Sequence, residues 1–225
     1  MPEITSFAHI RGIIWDLDGT LYRYNDLFKH ACNIAAARTA LDLGLDMSFE
    51  DAVALAAASE KEHGNSFKNF AAHGLMYEDF HHPFHKTIDE TILDKNREMV
   101  FLLEKLSLPM VILTNASRHW AERTIAHIEL SHLFPPAKIL GLEDANYESK
   151  AYSTSGFKKA ASVLDIAHYK DILMVEDLPR NLMKAKELGM TTAFVRHGRA
   201  DGDMDHADHV FDDTVQLVQT LLKQK

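Results

Sequence analysis

Cysteine is nearly absent from this chain: among 225 residues there is one, Cys32. A single cysteine excludes an internal disulfide and fits a reducing cytosol. On the helix expected around it, Cys32 reads as a small apolar residue. Positive charge is also scarce. Lys and Arg total 24 against 33 for Asp and Glu, a net charge of -9. That balance argues against a nucleic-acid polymer or an anionic membrane as partner. It leaves room for a small anion, because a local site can hold a lysine or a cation. No stretch is long and apolar enough for a membrane span. The opening "MPEITSFAHIRG" lacks a charged start followed by an apolar run, so no signal peptide is expected and a cytoplasmic location is. There is no internal repeat and no low-complexity segment. What is present is a 46% hydrophobic composition, enough core for one domain or one domain with an insertion.

The chain alternates strand and helix, with one interruption. "IRGIIW" reads as a buried strand ending at Asp16. From about Tyr22 to Thr91 no convincing strand occurs. Leu27, Ala31, Ile34 and Ala35 fall on one helical face, and "SFEDAVALAAASEKEHG" begins with a cap at Ser48 and can end at Gly64. "YEDFHHPFHKTI" reads as polar, aromatic and irregular, with Pro83 disturbing any regular helix. The alternation then resumes. A helix near Asn96–Leu106 precedes the strand "PMVILTNAS", and Ala121, Ile125 and Ile128 mark the next helix. "KIL" is a short strand. Phe157, Ala160, Ala161 and Leu164 form an amphipathic stripe. "DILMVEDLPRN" runs from strand into helix through Leu182, Ala185 and Leu188 to Gly189. "TTAFVR" and "HVF" are further strands, and "DTVQLVQTLLK" is a closing helix. Strands separated by helices imply a parallel sheet with right-handed crossovers. The expected fold class is therefore α/β: a Rossmann-like parallel sheet core with helices on both faces, from residues 1–20 and 93–225, and a small α-helical domain at 21–92.

Four polar clusters follow strands or precede helices: "DLDGT", "LTNAS", "ESK" and "VEDLPRN". Ligands of a parallel sheet bind beyond the carboxyl ends of its strands. That rim would gather Asp16, Asp18, Glu176 and Asp177 with Thr114, Asn115 and Lys150. So many carboxylates need a cation. Oxygen-only ligands favour a hard ion such as Mg²⁺, which also prefers phosphate. One aspartate can then act as nucleophile and form an acyl-phosphate, and the second can protonate the leaving group and later activate water. Each residue also has an ordinary reading: an aspartate, a threonine or an asparagine at a strand end caps helices or forms turns, and a lone lysine usually sits in solvent. The agreement of four clusters favours the site.

"DLDGTLY", "LTNAS", "SK" and "VEDLPRNLMKAKELGM" resemble, in this order, the four signature motifs of the haloacid dehalogenase superfamily. The likeness covers the whole sheet domain, and the insertion after the first motif resembles a helical cap of that superfamily. More narrowly, "DGTLY", "TNASRHWAERTIAHIELSHLF" and the closing "GM" resemble the pyrimidine 5′-nucleotidase-like branch. The resemblance implies Asp16 as nucleophile and metal ligand, and Asp18 as general acid/base that also gives its backbone carbonyl to the metal. Thr114 and Asn115 would bind phosphate with the tight turn at Gly19, and Lys150 would neutralise charge in the transition state. Asp177 would bind Mg²⁺, with Glu176 as a further ligand or a holder. Tyr22 and Arg23 begin the cap linker and would face the substrate. The chain departs from its relatives at Ala151, where a proline often follows the lysine. Gly19 stands where the branch commonly has asparagine. Glu176-Asp177 replaces a common aspartate pair and looks more like sugar-phosphate phosphatases and phosphomutases.

His81 and His85 have metal-ligand spacing on a helix, but Pro83 between them and the absence of a carboxylate partner favour a solvated or cap-lining role. Phe67, Phe70, Phe80 and Phe84 read as cap core, with base stacking as the alternative for one of them. Asn181 reads as a brace of the acidic loop. The expected activity is a Mg²⁺-dependent phosphatase on a small phosphorylated metabolite, with pyrimidine nucleoside 5′-monophosphates favoured and the protein a monomer or homodimer. The alternative is a sugar-phosphate phosphatase or phosphomutase on the same scaffold. Asp18 speaks against a dehalogenase, and intact Asp16, Asp18, Lys150 and Asp177 speak against a non-catalytic binding protein.

Overall fold

A computed structural model describes residues 6–63, 65–198 and 205–224. The expected helix end at Gly64 lies outside the described residues. The chain divides into two compact units, Met1–Arg23 with Asp94–Lys225, and Tyr24–Leu93.

The first unit holds a six-stranded sheet in the order β3-β2-β1-β4-β5-β6. Its strands are β1 (Gly12–Trp15), β2 (Met110–Leu113), β3 (Ile139–Leu140), β4 (Ile172–Glu176), β5 (Thr191–Val195) and β6 (His209–Phe211). Every pairing is parallel. These short apolar runs are buried almost throughout, as expected where helices cover a parallel sheet. The helices are α5 (Arg97–Glu104), α6 (Arg118–His127), α7 (Ser155–Leu164), α8 (Pro179–Glu187) and α9 (Thr214–Lys223), numbered after the four of the other unit. Ile14, Val111, Leu113, Ile172, Met174 and Phe194 pack with Phe157, Ala160 and Leu164 of α7 and Leu182 and Ala185 of α8. Because strand side chains alternate, Ile13 and Trp15 point to the opposite face, and both are fully buried. Strand order runs β1, β2, β3 in one direction and β4, β5, β6 in the other. It reverses between β1 and β4, the switch point where ligands bind in open α/β sheets.

The second unit is helical: α1 (Asp26–Asp42), α2 (Phe49–His63), α3 (Lys68–Ala71) and α4 (Tyr77–Thr87). Its core is Ala36, Ala37 and Ala40 of α1, Ala52 and Ala56 of α2, and Phe70 and Phe80. Alanine on both facing helices lets their backbones approach closely. Ser48 caps α2, its Oγ accepting from the Asp51 amide at 3.1 Å. Two expectations fail here. The segment 77–87 is a continuous helix through Pro83, although proline removes one helical hydrogen bond. Burial of Phe80, His81 and His85 and the ring contacts of Phe80 with Phe67, Phe70 and Phe84 outweigh that loss. On α1 Ala35 of the expected face is buried alongside Phe28, Cys32, Ala36 and Ala40, while Leu27 is 61% exposed. The Asn25 cap, whose side chain accepts from the Phe28 amide, starts the helix so that Leu27 faces outward.

Candidate active site

The site is built at the carboxyl ends of β1, β2 and β4. Parallel register pairs Trp15 with Ile112 on one side and Val175 on the other. One residue further, Asp16 lies between the ends of β2 and β4, and its amide donates to the Val175 carbonyl at 2.9 Å. Lys150 reaches across all three ends. Its Nζ donates to the Leu113 carbonyl at 3.1 Å, to Glu176 Oε2 at 2.7 Å, and to Asp16 Oδ1 in a short contact. Lys150, Asp16 and Glu176 are all buried.

One ammonium cannot balance this set. Burial and the neighbouring Glu176 carboxylate push the Asp16 carboxyl up from 3.8 to about 7, against the attraction of Lys150. Burial alone would lower Lys150, but its two carboxylate partners raise it and keep it charged. Asp177 completes the cluster: one oxygen each from Asp16, Glu176 and Asp177 lie within 4.8 Å of one another. An all-oxygen, buried donor set with excess negative charge suits a hard divalent cation. Gly19 is shaped by the same cluster. Its φ is +90°, and a Cβ there would stand 2.8 Å from Asp177 Cγ. Only glycine accepts both the left-handed backbone and the close carboxylate.

Asp18 sits one turn beyond, held by three donors. Tyr22 Oη donates to its Oδ1 in a short contact. Trp120 Nε1 donates to Oδ1 at 2.7 Å, and Thr114 Oγ1 donates to Oδ2 at 3.1 Å. Burial raises the Asp18 carboxyl, and these donors partly offset the rise. Thr114 is oriented in turn by the Ala116 amide, which donates to its Oγ1 at 2.9 Å. Asn115 joins the second and third clusters, its Oδ1 accepting from the Lys150 amide at 3.0 Å. Glu176 Oε1 braces its own loop by accepting from the Asp177 and Leu178 amides at 3.3 and 3.2 Å. Pro179 then opens α8, where its missing N–H costs nothing.

Asp16, Asp18, Gly19, Thr114, Asn115, Lys150, Glu176 and Asp177 are thus brought to one rim. Tyr22, expected to face the substrate, is buried, and its hydroxyl is engaged with Asp18. Trp120 was not foreseen as part of the site. The available signal was Ser117, which caps α6 and accepts from the Trp120 amide at 3.2 Å. That cap sets Trp120 in the first turn of a helix starting at the rim. His81 and His85 are both buried on α4 in the helical unit, their rings 4.6 Å apart, with His85 Nδ1 against the His81 carbonyl at 2.7 Å. Asn181 is buried in the first turn of α8.

Comparison with known proteins gives three results. Residues 13–195 match the family described as haloacid dehalogenase-like hydrolase. No curated protein matches the chain. Among solved structures, a Thermotoga maritima protein assigned as a beta-phosphoglucomutase is similar, with a TM-score of 0.63, 16% identity, and 96% of this chain and 99% of that one covered. A HAD phosphatase from Thermococcus onnurineus gives 0.64, 16%, 94% and 98%. A Bacillus subtilis protein assigned as a HAD-hydrolase, solved with magnesium, gives 0.65, 14%, 94% and 98%. At such identities the likeness shows a common fold.

Proposed function

Because the chain belongs to the haloacid dehalogenase-like hydrolase family, over residues 13–195, we propose that it is a Mg²⁺-dependent phosphatase of small phosphomonoesters. The observation that carries this reading is the Lys150 ammonium shared between Asp16 and Glu176 at the switch point, with Asp177 beside them. Asp16 is the nucleophile: its carboxylate oxygen bonds to phosphorus as the ester oxygen leaves, giving an aspartyl-phosphate. Asp18 gives its proton to the leaving oxygen and then takes one from a water whose oxygen bonds to phosphorus as the Asp16–phosphorus bond breaks, releasing phosphate and the free carboxylate. Lys150 neutralises charge on the transferred group, and Thr114 and Asn115 bind its oxygens. Asp16 and Asp177, with the Asp18 carbonyl, would hold Mg²⁺. Glu176, engaged with Lys150 through one oxygen and with loop amides through the other, serves as holder of the set. The metal supplies Lewis-acid neutralisation of phosphoryl charge when bound.

The favoured substrates are nucleoside 5′-monophosphates, pyrimidine first, and the unit Tyr24–Leu93 is given the role of a helical cap. Both assignments rest on the sequence resemblance. A second reading, sugar-phosphate phosphatase or phosphomutase, is favoured by one feature, the Glu176-Asp177 pair. The test is phosphate release from UMP, CMP, purine nucleotides and sugar phosphates, with Mg²⁺ and with chelator. Metal-dependent release centred on pyrimidine nucleotides supports the first reading. Release centred on sugar phosphates moves the substrate to the second. Sugar-phosphate isomerisation without net release identifies a mutase. Chelator-resistant release rejects the metal.

A further inference from the structure

Asp18 accepts from three side-chain donors on three different residues. The end of β2 and the first turn of α6 grip both oxygens of its carboxylate: Thr114 Oγ1 meets Oδ2 at 3.1 Å and Trp120 Nε1 meets Oδ1 at 2.7 Å. Tyr22 adds a second donor to Oδ1 from the turn that follows Asp18 itself, where the two residues also form a backbone bridge. Trp120 and Tyr22 are both buried. An indole N–H only donates and a phenol O–H donates in one direction, so each acts as a directional pin on one oxygen. A carboxylate pinned at two atoms cannot rotate about its Cβ–Cγ bond without breaking a hydrogen bond in a dry site.

We propose that Trp120 and Tyr22 are positioning residues that fix the plane of the Asp18 carboxyl so that Oδ2, the oxygen shared with Thr114, is presented to the leaving group. The proposal rests on the phosphatase reading, in which Asp18 moves protons. It predicts a selective defect. An alkyl leaving oxygen needs Asp18's proton as it departs. The p-nitrophenolate anion leaves without one. The parameter kcat/KM covers steps only up to leaving-group departure, so it isolates this dependence.

The test measures kcat/KM for UMP and for p-nitrophenyl phosphate in wild type, Trp120→Phe, Tyr22→Phe and Asp18→Asn, with Mg²⁺ present. Trp120→Phe keeps an aromatic ring in a buried position, and Tyr22→Phe removes only a hydroxyl. For UMP, or whichever alkyl ester the wild type prefers, each single variant is expected to lose about tenfold, with Asp18→Asn losing about 10² to 10⁴. For p-nitrophenyl phosphate the Trp120 and Tyr22 variants should stay within about twofold of wild type. Equal losses on both esters, or no loss on either, would overturn the proposal. An independent readout is the indole Nε1–H resonance of Trp120 in a ¹⁵N correlation spectrum, assigned by its disappearance in Trp120→Phe. It should move when Asp18 becomes asparagine. A stationary resonance denies the contact and overturns the proposal whatever the kinetics. Failure of the wild type on every ester, with the resonance moving, instead rejects the phosphatase reading and keeps the pin.

Discussion

Replacing Lys150 with methionine isolates the electrostatic core of the site. Methionine keeps most of the buried stem and removes the ammonium. The variant leaves Asp16 and Glu176 buried side by side without the cation that each now bonds. Breaking a buried ion pair by removing one partner costs about 3–5 kcal/mol, because the remaining charge is uncompensated. At about 2–4 °C per kcal/mol for a chain of this size, the melting temperature should fall by about 6–20 °C. The loss must depend on pH. Asp16 already holds its proton up to about pH 7. Without Lys150 that value rises further, so at pH 5 the aspartate is neutral and the deficit shrinks. Above pH 7 the wild-type Asp16 has already ionised against Lys150, whereas the variant goes on losing stability toward its own higher value, so the deficit is larger at pH 8 than at pH 5. The assay is thermal unfolding at pH 5 and pH 8 in chelator, repeated with Mg²⁺. Added metal should recover part of the stability and little turnover. A variant within about 0.5 kcal/mol of wild type at pH 8, or one equally weakened at both pH values, would refute the view that Lys150 compensates the cluster.

Three further outcomes are expected. Asp16→Asn should abolish phosphate release while the protein remains folded, since size is kept and the nucleophile is lost; retained turnover removes Asp16 from that role. The pH dependence of the same variant has a definite sign. An acid raised from 3.8 to about 7 in the fold contributes stability that is complete below 3.8 and lost as pH climbs through 7. In chelator, the melting temperature of Asp16→Asn relative to wild type should therefore increase across that window, and a flat difference contradicts the assigned shift. Gly19→Ala meets both a left-handed backbone and the Asp177 carboxylate. It should cost about 1–3 kcal/mol and raise the Mg²⁺ concentration needed for activity, which a metal titration reads directly.

The sheet was legible because its strands are short apolar runs closed by polar residues, and buried parallel strands have that pattern. The rim residues were legible because strand ends converge in any such sheet, so Asp16, Thr114 and Glu176 needed no distance information to be placed together. The donors on Asp18 were not. Trp120 lies on a helix whose register depends on the Ser117 cap, and no local pattern says that an indole turns back toward a loop 102 residues earlier in the chain. The helix through Pro83 was missed for a related reason. Proline's local penalty is visible in sequence, whereas the compensating packing around Phe80 exists only once α1, α2 and α3 are assembled. Only Leu27 of the expected face failed: Ala35 is buried and Ala31 and Ile34 are half-buried, because α1 is rich in alanine between Ala31 and Ala40 and its first turn is set by the Asn25 cap rather than by the apolar pattern.

The central claim is that phosphate passes through Asp16. The direct measurement is acid quenching of the enzyme during turnover of its preferred ester with Mg²⁺, followed by peptide mass spectrometry. The account predicts a hydroxylamine-labile phosphoryl group on Asp16, formed and discharged at the turnover rate and missing in Asp16→Asn. Turnover without that adduct, or a phosphoryl group on another residue, would contradict it.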